Sequence, residues 1–320
     1  MTRPNAPRYA ARLNAFKVKG GSVADMIAGV GQVGGISAAD LNYPDHFETH
    51  SPAALGRMLA DQGMVINGLA MRYYTEAGFK LGAFTHPDLS VRRAAIDLTK
   101  RGIDACAEMG GALMTLWMGQ DGYDYSFQID YGRAWEDTIA AIAEVADHNS
   151  AVDIAVEYKP DEPRAFALMP DMATTLLALR EVNRANTGVT LDFAHVLYAG
   201  EMPAYAATLA ARHSRILGVH LNDGYGKRDD GLMAGTVHPV QTVELFMALD
   251  RAGYDGVIYF DTFPDQAGLN PVHETRANIA LTDRLRAIAR DLAQNPELAA
   301  ATARQDAAAV SLIVANALYR

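Results

Sequence analysis

Short apolar runs alternate with longer amphipathic stretches along nearly all of the 320-residue chain. Brief apolar runs bounded by turn-forming residues read as buried strands, and apolar positions three and four apart read as helices. On that basis strands are predicted at Leu13–Lys17, Gly35–Asn42, Val65–Met71, Ala112–Trp117, Asp153–Tyr158, Gly188–Phe193, Ile216–Leu221 and Gly256–Asp261. Helices are predicted between them, among them Ser90–Glu108, Tyr131–His148, Met172–Asn183 and Val240–Ala252. Eight strand–helix units over roughly 280 residues match an α/β fold of the (β/α)8 TIM-barrel type. A doubly wound open sheet is the rival, but it normally carries a glycine-rich phosphate turn after its first strand, and none is present.

Residues 1–290 are assigned to the barrel and 291–320 to a C-terminal helical extension. From Thr282 onward the chain is Ala-rich, with Leu, Ile and Val at helical spacings and an interruption at Asn295-Pro296, so two helices are expected there. A barrel does not need the second, which is expected on the barrel's outside or on another subunit.

Composition narrows the function classes. Half of the residues are hydrophobic, enough for a large core. The formal net charge is −10 with no block of Lys and Arg, which speaks against a nucleic-acid partner but leaves room for a local basic pocket that binds a small phosphorylated ligand. No apolar stretch approaches the ~20 residues needed to cross a bilayer. The opening MTRPNAPRYAARLNAF lacks the apolar core of a signal peptide, so a cytoplasmic location is expected. Cys106, the single cysteine, reads as a small core residue, and neither an intramolecular disulfide nor a thiolate metal site can form.

The chemistry lies at the strand ends, because side chains at the C-terminal ends of barrel strands converge on one mouth. Glu157 in VEYKP, Asp192 in LDFAH, His220 in HLND and Asp261 in YFDTFP close four successive strands. Three carboxylates and one imidazole form a mostly hard-oxygen set that suits Mn²⁺, with Mg²⁺ or Co²⁺ as alternatives. Singly, Asp192 could cap a helix and His220 could be a core histidine; four such residues at consecutive strand ends are not explained that way. His195, three residues after Asp192, and the pair Asp229-Asp230 in GYGKRDDGLMAG suggest a second ion, with Asp192 placed to bridge the two. Which aspartate of the pair would ligate is open, and Asp-Gly is also a common turn. Lys159 lies two residues beyond Glu157 and so faces the same side of an extended strand. Carboxylates would hold it charged, ready to hydrogen-bond a substrate oxygen. Trp117 could offer an apolar wall to the carbon face of a sugar, a role compatible with core packing.

Longer segments carry a family resemblance. GAFTHPDLSVRRAAIDLTKRGIDACAEMGGALMTLWMGQDGYDY resembles the part of xylose isomerases that runs through a helix into a tryptophan-bearing strand. AVEYKPDEPRAFALMP is similar to their Glu-x-Lys-Pro-x-Glu-Pro-Arg segment, and VTLDFAH, HLNDGYGKRDDGLMAG and YFDTFP follow in the expected order. Most of the chain thus resembles the xylose-isomerase-like TIM-barrel superfamily. Within it, Asp-x-x-His and a strand-ending histidine resemble the bacterial L-rhamnose isomerase branch with relaxed specificity. The resemblance implies a metal-dependent aldose–ketose isomerase that moves hydrogen between C1 and C2 as hydride. It implies a small sugar substrate, two ions per subunit and a homo-oligomer, dimer or tetramer, with no nucleic-acid or membrane partner. Glu157, Asp192, His220 and Asp261 would hold a structural ion. His195 and Asp229 or Asp230, with Asp192 as bridge, would hold the catalytic one, and Lys159 would contact the substrate near its carbonyl.

One departure concerns the ring-opening histidine that xylose isomerases carry after their second strand. The stretch here, ADLNYPDHF, places Asn42 and Tyr43 near that point as candidate substrate contacts, with His46 slightly later. The rival activities are a ketose 3-epimerase, which works with two opposed glutamates, a metal-dependent DNA-repair endonuclease, and a non-enzymatic sugar-binding barrel. Asp261, shorter than a glutamate, and the additional Lys159 and aspartate pair favour the isomerase.

Overall fold

Eight parallel strands close into a barrel in the computed structural model, which describes residues 8–75 and 77–319. They are β1 (Tyr9–Ala11), β2 (Ala38–Tyr43), β3 (Val65–Met71), β4 (Leu113–Trp117), β5 (Asp153–Glu157), β6 (Thr187–Asp192), β7 (Ile216–Leu221) and β8 (Ile258–Phe260). Each pairs with the next, and β1 closes on β8 from Tyr9↔Ile258 to Ala11↔Phe260. Helices cover the outer face, so the strands are buried on both sides; every residue of β6 is buried. The (β/α)8 expectation is met.

The helices are α1 (Val23–Gly31), α2 (Pro52–Asp61), α3 (Leu89–Glu108), α4 (Tyr131–His148), α5 (Met172–Val182), α6 (Phe193–Tyr198), α7 (Pro203–His213), α8 (Pro239–Ala252), α9 (Pro264–Ala267), α10 (Pro271–Ala293), α11 (Pro296–Ala303) and α12 (Ala307–Leu318). Their starts follow local chemistry. Side chains of Ser22, Asp88, Asp130 and Asp171 accept hydrogen bonds from the first-turn N–H groups of α1, α3, α4 and α5. Among the described residues no helix is long and apolar enough to cross a membrane. Cys106 is buried in α3, its Sγ donating to Leu113 O at 3.4 Å, and burial pushes its thiol up to about 11.

Three sequence expectations shift. Leu13–Lys17 is not the first strand: Leu13–Phe16 forms a 3₁₀ turn that buries Leu13, Ala15 and Phe16, and Tyr9–Ala11 pairs with β8 instead. Strand β1 is only three residues long and too short to display alternation. Phe193 leaves the strand to begin α6, because Asp192 caps that helix. The tail holds two helices beyond Asn295 as well as α10, because Gln305 adopts φ 54° and Asp306 caps α12 through Ala309 N–H. Helix α10 also runs unbroken through residue 290 to Ala293.

The pairing of β2 with β3 slips by one residue between Ala39 and Asp40, leaving Asn67 outside the ladder. Asn67 Nδ2 uses that position to donate to both Asp40 oxygens, at 2.9 and 3.0 Å. The next residue must be glycine, since a Cβ on Gly68 would stand 2.6 Å from Leu113 O on β4. Gly68→Ala should therefore destabilise the fold by about 1–3 kcal/mol, read as a lower denaturation midpoint; an unchanged midpoint would refute the close-approach account.

Candidate metal centre and active site

Glu157 closes β5, Asp192 closes β6, His220 precedes the last residue of β7, and Asp261 directly follows β8. Lateral register sets Asp192 beside His220. One ligand atom from each of the four lies within 4.8 Å of the others. His220 Nδ1 donates to Glu157 Oε1 at 3.1 Å and stands 4.0 Å from Asp192 Oδ2. Asp192 has a second task. As the cap of α6 it accepts from His195 N–H at 2.9 Å, which fixes His195 on the first turn of that helix. The His195 ring then places Nδ1 3.6 Å from Glu157 Oε1 and 4.0 Å from Asp192 Oδ1.

The loop between β7 and α8 is held down by Asp223. Its Oδ2 accepts from the N–H groups of Val237 and His238, both at 2.9 Å, and its backbone pairs with Leu232. This anchoring brings Asp229 Oδ2 to 3.2 Å from both His195 Nε2 and Lys159 Nζ. Asp230 turns the other way, accepting from Tyr225 N–H and Arg228 Nε, each at 2.8 Å, and it does not line the cavity. Asp-Gly is also a real turn here: Gly231 takes φ 57° and packs against Phe263, 2.3 Å from where a Cβ would sit. The site therefore receives Asp229 and not Asp230. Lys159 is paired with Glu162 at 2.7 Å and lies 5.4 Å above the Trp117 ring.

Asn42 lines the cavity, as expected from its position on β2, and so does Trp117. Tyr43 does not. Side chains alternate along a strand, so Tyr43 faces outward, packing on Phe47 and close to Gly102 of α3. His46 is buried away from the mouth, with Nε2 donating to Asn14 Oδ1 at 2.9 Å and Nδ1 accepting from Asn42 N–H at 3.0 Å. Burial, with Arg72 adding to it, lowers that imidazole to about 4 and keeps it neutral. Ring opening has no histidine at that place.

Several functional neighbours escaped the sequence reading. Asn222, fully buried two residues after His220, donates to both Asp192 oxygens at 3.2 and 3.1 Å and to Asp261 O at 3.2 Å, while accepting from Ala194 N–H. Asp40, two residues before Asn42 and on the same face, also lines the cavity, as do Arg12, Arg72 and Tyr259. The signal for Asp40 and Asn222 was the period of two from a neighbour already singled out. Arg12 was hidden because β1 had been placed too late.

Packed carboxylates dictate the electrostatics. Burial raises Asp192 to about 7, with His195 opposing and Asp229 and Glu157 reinforcing it. Burial alone would make His220 and His195 less basic, but it is outweighed by Glu157 for His220 and by Asp192 and Asp229 for His195. They rise to about 10 and about 9. Burial of Glu157 is overcome by His220 and His195, so its carboxyl falls below the ordinary value. Lys159 is likewise partly desolvated, yet Asp229 and Glu162 keep it more firmly protonated than a free lysine. Protons on the two imidazoles therefore supply the positive charge that the carboxylates demand. A divalent cation fits the same place. The donors are hard oxygens and imidazole nitrogens, and among the described residues two buried atoms, His195 Nδ1 and Asp229 Oδ1, have no hydrogen-bond partner.

The family model for a xylose isomerase-like TIM barrel matches residues 30–285. The chain belongs to the xylose isomerase-like TIM-barrel family. A relative within reach of this family member is the xylose isomerase of Thermus thermophilus, 27% identical over 213 residues, which cover 64% of this chain and 54% of that protein. The chain thus spans about half the length of that relative. Among solved structures, L-ribulose 3-epimerase superposes with a TM-score of 0.70 at 16% identity, covering 91% of this chain and 99% of that one. A xylose isomerase domain protein from Alicyclobacillus acidocaldarius superposes with a TM-score of 0.67 at 20% identity, covering 89% and 100%. At such identities the likeness concerns the fold. These relatives do not support the narrower L-rhamnose isomerase branch expected from the sequence.

Two outcomes follow for this family member. Imidazole protons must leave before their nitrogens can bind a metal. With His195 at about 9 and His220 at about 10, Mn²⁺ affinity should climb as pH rises from 6 to 9, with proton release in calorimetry; a flat profile would argue against imidazole ligation. Asn222→Ala should weaken metal binding about 10–100-fold in the folded protein, as loss of a ligand-orienting hydrogen bond does elsewhere.

Proposed function

We propose that this chain is a metal-dependent sugar isomerase that interconverts an aldose and a ketose by hydrogen transfer between C1 and C2. The observation that carries this reading is the Lys159–Asp229–His195 chain of contacts, which lies directly beside the four-residue cluster. Glu157, Asp192, His220 and Asp261 would hold one divalent ion, Mn²⁺, Mg²⁺ or Co²⁺. His195 and Asp229 would hold a second, with Asp192 shared between them. When bound, such ions polarise a carbonyl and lower the pKa of the neighbouring hydroxyl.

The remaining work belongs to the chain's own groups. Lys159, kept charged by Asp229 and Glu162, donates a hydrogen bond to the substrate carbonyl oxygen, where negative charge develops. Asp229 fixes both Lys159 Nζ and His195 Nε2, leaving His195 Nδ1 turned toward Glu157 and Asp192. Trp117 walls the cavity beneath Lys159 and shields the reacting carbons from water. Without the histidine that opens sugar rings, an open-chain substrate suits the site.

A second reading, a ketose 3-epimerase, is favoured by the fold of L-ribulose 3-epimerase and by the presence of two carboxylates, Glu157 and Asp261, in the cavity wall, as acid and base of such a reaction. Incubating ketoses of four to six carbons with Mn²⁺ separates the two. An aldose product is expected; an epimeric ketose alone would transfer the assignment to the second reading, and no turnover would refute both. Lys159→Met should cost about 10²–10³ in kcat while metal affinity persists. In an epimerase the same change should act mainly on KM.

A further inference from the structure

The cavity beside the cluster measures about 260 Å³ and is lined by two arginines, Arg12 directly after β1 and Arg72 directly after β3. In an eight-stranded ring β3 stands four strands from β7, so Arg72 lies across the mouth from the strand that carries His220. Lys159, Arg12 and Arg72 are the lysine and arginine side chains lining this space. Two of them are neutralised. Lys159 lies 2.7 Å from Glu162 and 3.2 Å from Asp229, and Arg12 lies 2.8 Å from Asp265 and 3.8 Å from Asp261.

Arg72 is different. Among the described residues it has no carboxylate oxygen within 4.0 Å. Its guanidinium stacks on Tyr74, with Cζ 4.4 Å from the ring centroid, and among the described residues its buried Nε has no hydrogen-bond partner. Stacking holds the guanidinium by its face and leaves the edge N–H groups free to form a planar fork. A buried N–H left unpaired in a cavity wall is a cost that a ligand oxygen removes.

From this we infer that Arg72 is an anion-recognition residue, and that the substrate is a sugar derivative with a terminal carboxylate or phosphate at the end remote from the cluster. The inference deepens the reading of the cavity as a sugar site and rests on it. A guanidinium fork matches either anion through two parallel N–H···O bonds. The wall on β5, β7 and after β8 carries Glu157, His220 and Asp261, and Asp40 on β2 adds a further carboxylate. Among the described lining residues Arg72 is the cation with no carboxylate oxygen within 4.0 Å, and so it sets where an anion is held. The substrate's carbonyl end goes to the cluster and its anionic end to Arg72. Arg12, stacked on Phe263 at 4.8 Å, keeps its Nη1 bound to Asp265 and so leaves the anion to Arg72.

Alditols have no carbonyl and cannot react, so they report binding apart from turnover. Calorimetry on the full chain with Mg²⁺ would compare alditols of four to six carbons, their terminal phosphates and the matching aldonates. One anionic series is expected to bind at least about tenfold more tightly than the neutral alditols, as charge-assisted hydrogen bonds do. The phosphate and carboxylate arms identify which anion is read. Arg72→Gln should shrink that preference about tenfold, and Arg72→Lys should restore part of it, because the charge returns without the fork. Equal binding of neutral and anionic ligands by the wild-type protein, or no binding of either anion, would overturn the inference. So would an Arg72→Gln variant that weakens all ligands alike, which would reduce Arg72 to a prop for Tyr74. Anion binding through Arg72 without any sugar turnover would refute the proposed chemistry and leave this inference standing. Turnover of neutral sugars with indifference to the anions would do the reverse.

Discussion

Burial of like charge is the constraint on which the rest of this molecule turns. Glu157, Asp192, Asp229 and Asp261 all approach one another at the mouth of the barrel, where water can no longer screen them. Left alone, such carboxylates would take up protons or push the strands apart. In the structure the compensation comes from imidazolium at His195 and His220 and ammonium at Lys159, each held more basic than usual by the carboxylates around it. A divalent cation concentrates the same positive charge at one point and accepts the lone pairs directly. A metal held there would compete with protons for the same nitrogens.

Placement of those charges depends on residues that do no chemistry themselves. Asn222 presents its amide N–H groups to Asp192 and its carbonyl oxygen to the backbone of α6, which aligns the carboxylate and the helix bearing His195 in one step. Asp223, the next residue, ties down the loop that delivers Asp229. One tetrapeptide, HLND, therefore contributes a candidate ligand, an orienting group and an anchor. Across the barrel, the slip between β2 and β3 lets Asn67 hold Asp40 in the cavity wall. Glu157, His220 and Asp261 thus gather on β5, on β7 and after β8, while Arg12 and Arg72 follow the strands on either side of the one that carries Asp40.

Much of this was legible in the chain, and the misses have physical causes. The four strand-end residues could be picked out because short apolar runs announce strands and barrel topology makes their ends converge. Lys159 followed from alternation along its strand, and Trp117 from its place at the end of another. Tyr43 failed because its neighbour Asn42 had already taken the inward face. Asp230 failed because consecutive side chains of the loop point opposite ways, and only the contacts to Tyr225 and Arg228 decide which one leaves. Strand β1 was misplaced because three residues cannot display a period, whereas the adjacent turn buries three apolar side chains that imitate one.

By itself, the sequence determined the order of strands and helices, the barrel as their most economical arrangement, and the identity of the side chains that meet at its mouth. These depend on local periodicity, on capping, and on a topology that always brings strand ends together. Tertiary structure decided what lies between elements distant in sequence: Asp229 against His195 and Lys159, Asn222 beneath Asp192, and Arg72 in the same cavity as the cluster with, among the described residues, no carboxylate oxygen within 4.0 Å. Such pairings depend on how far each loop reaches and which way each side chain turns once the barrel has closed. No pattern along the chain encodes a distance of three ångströms across that gap.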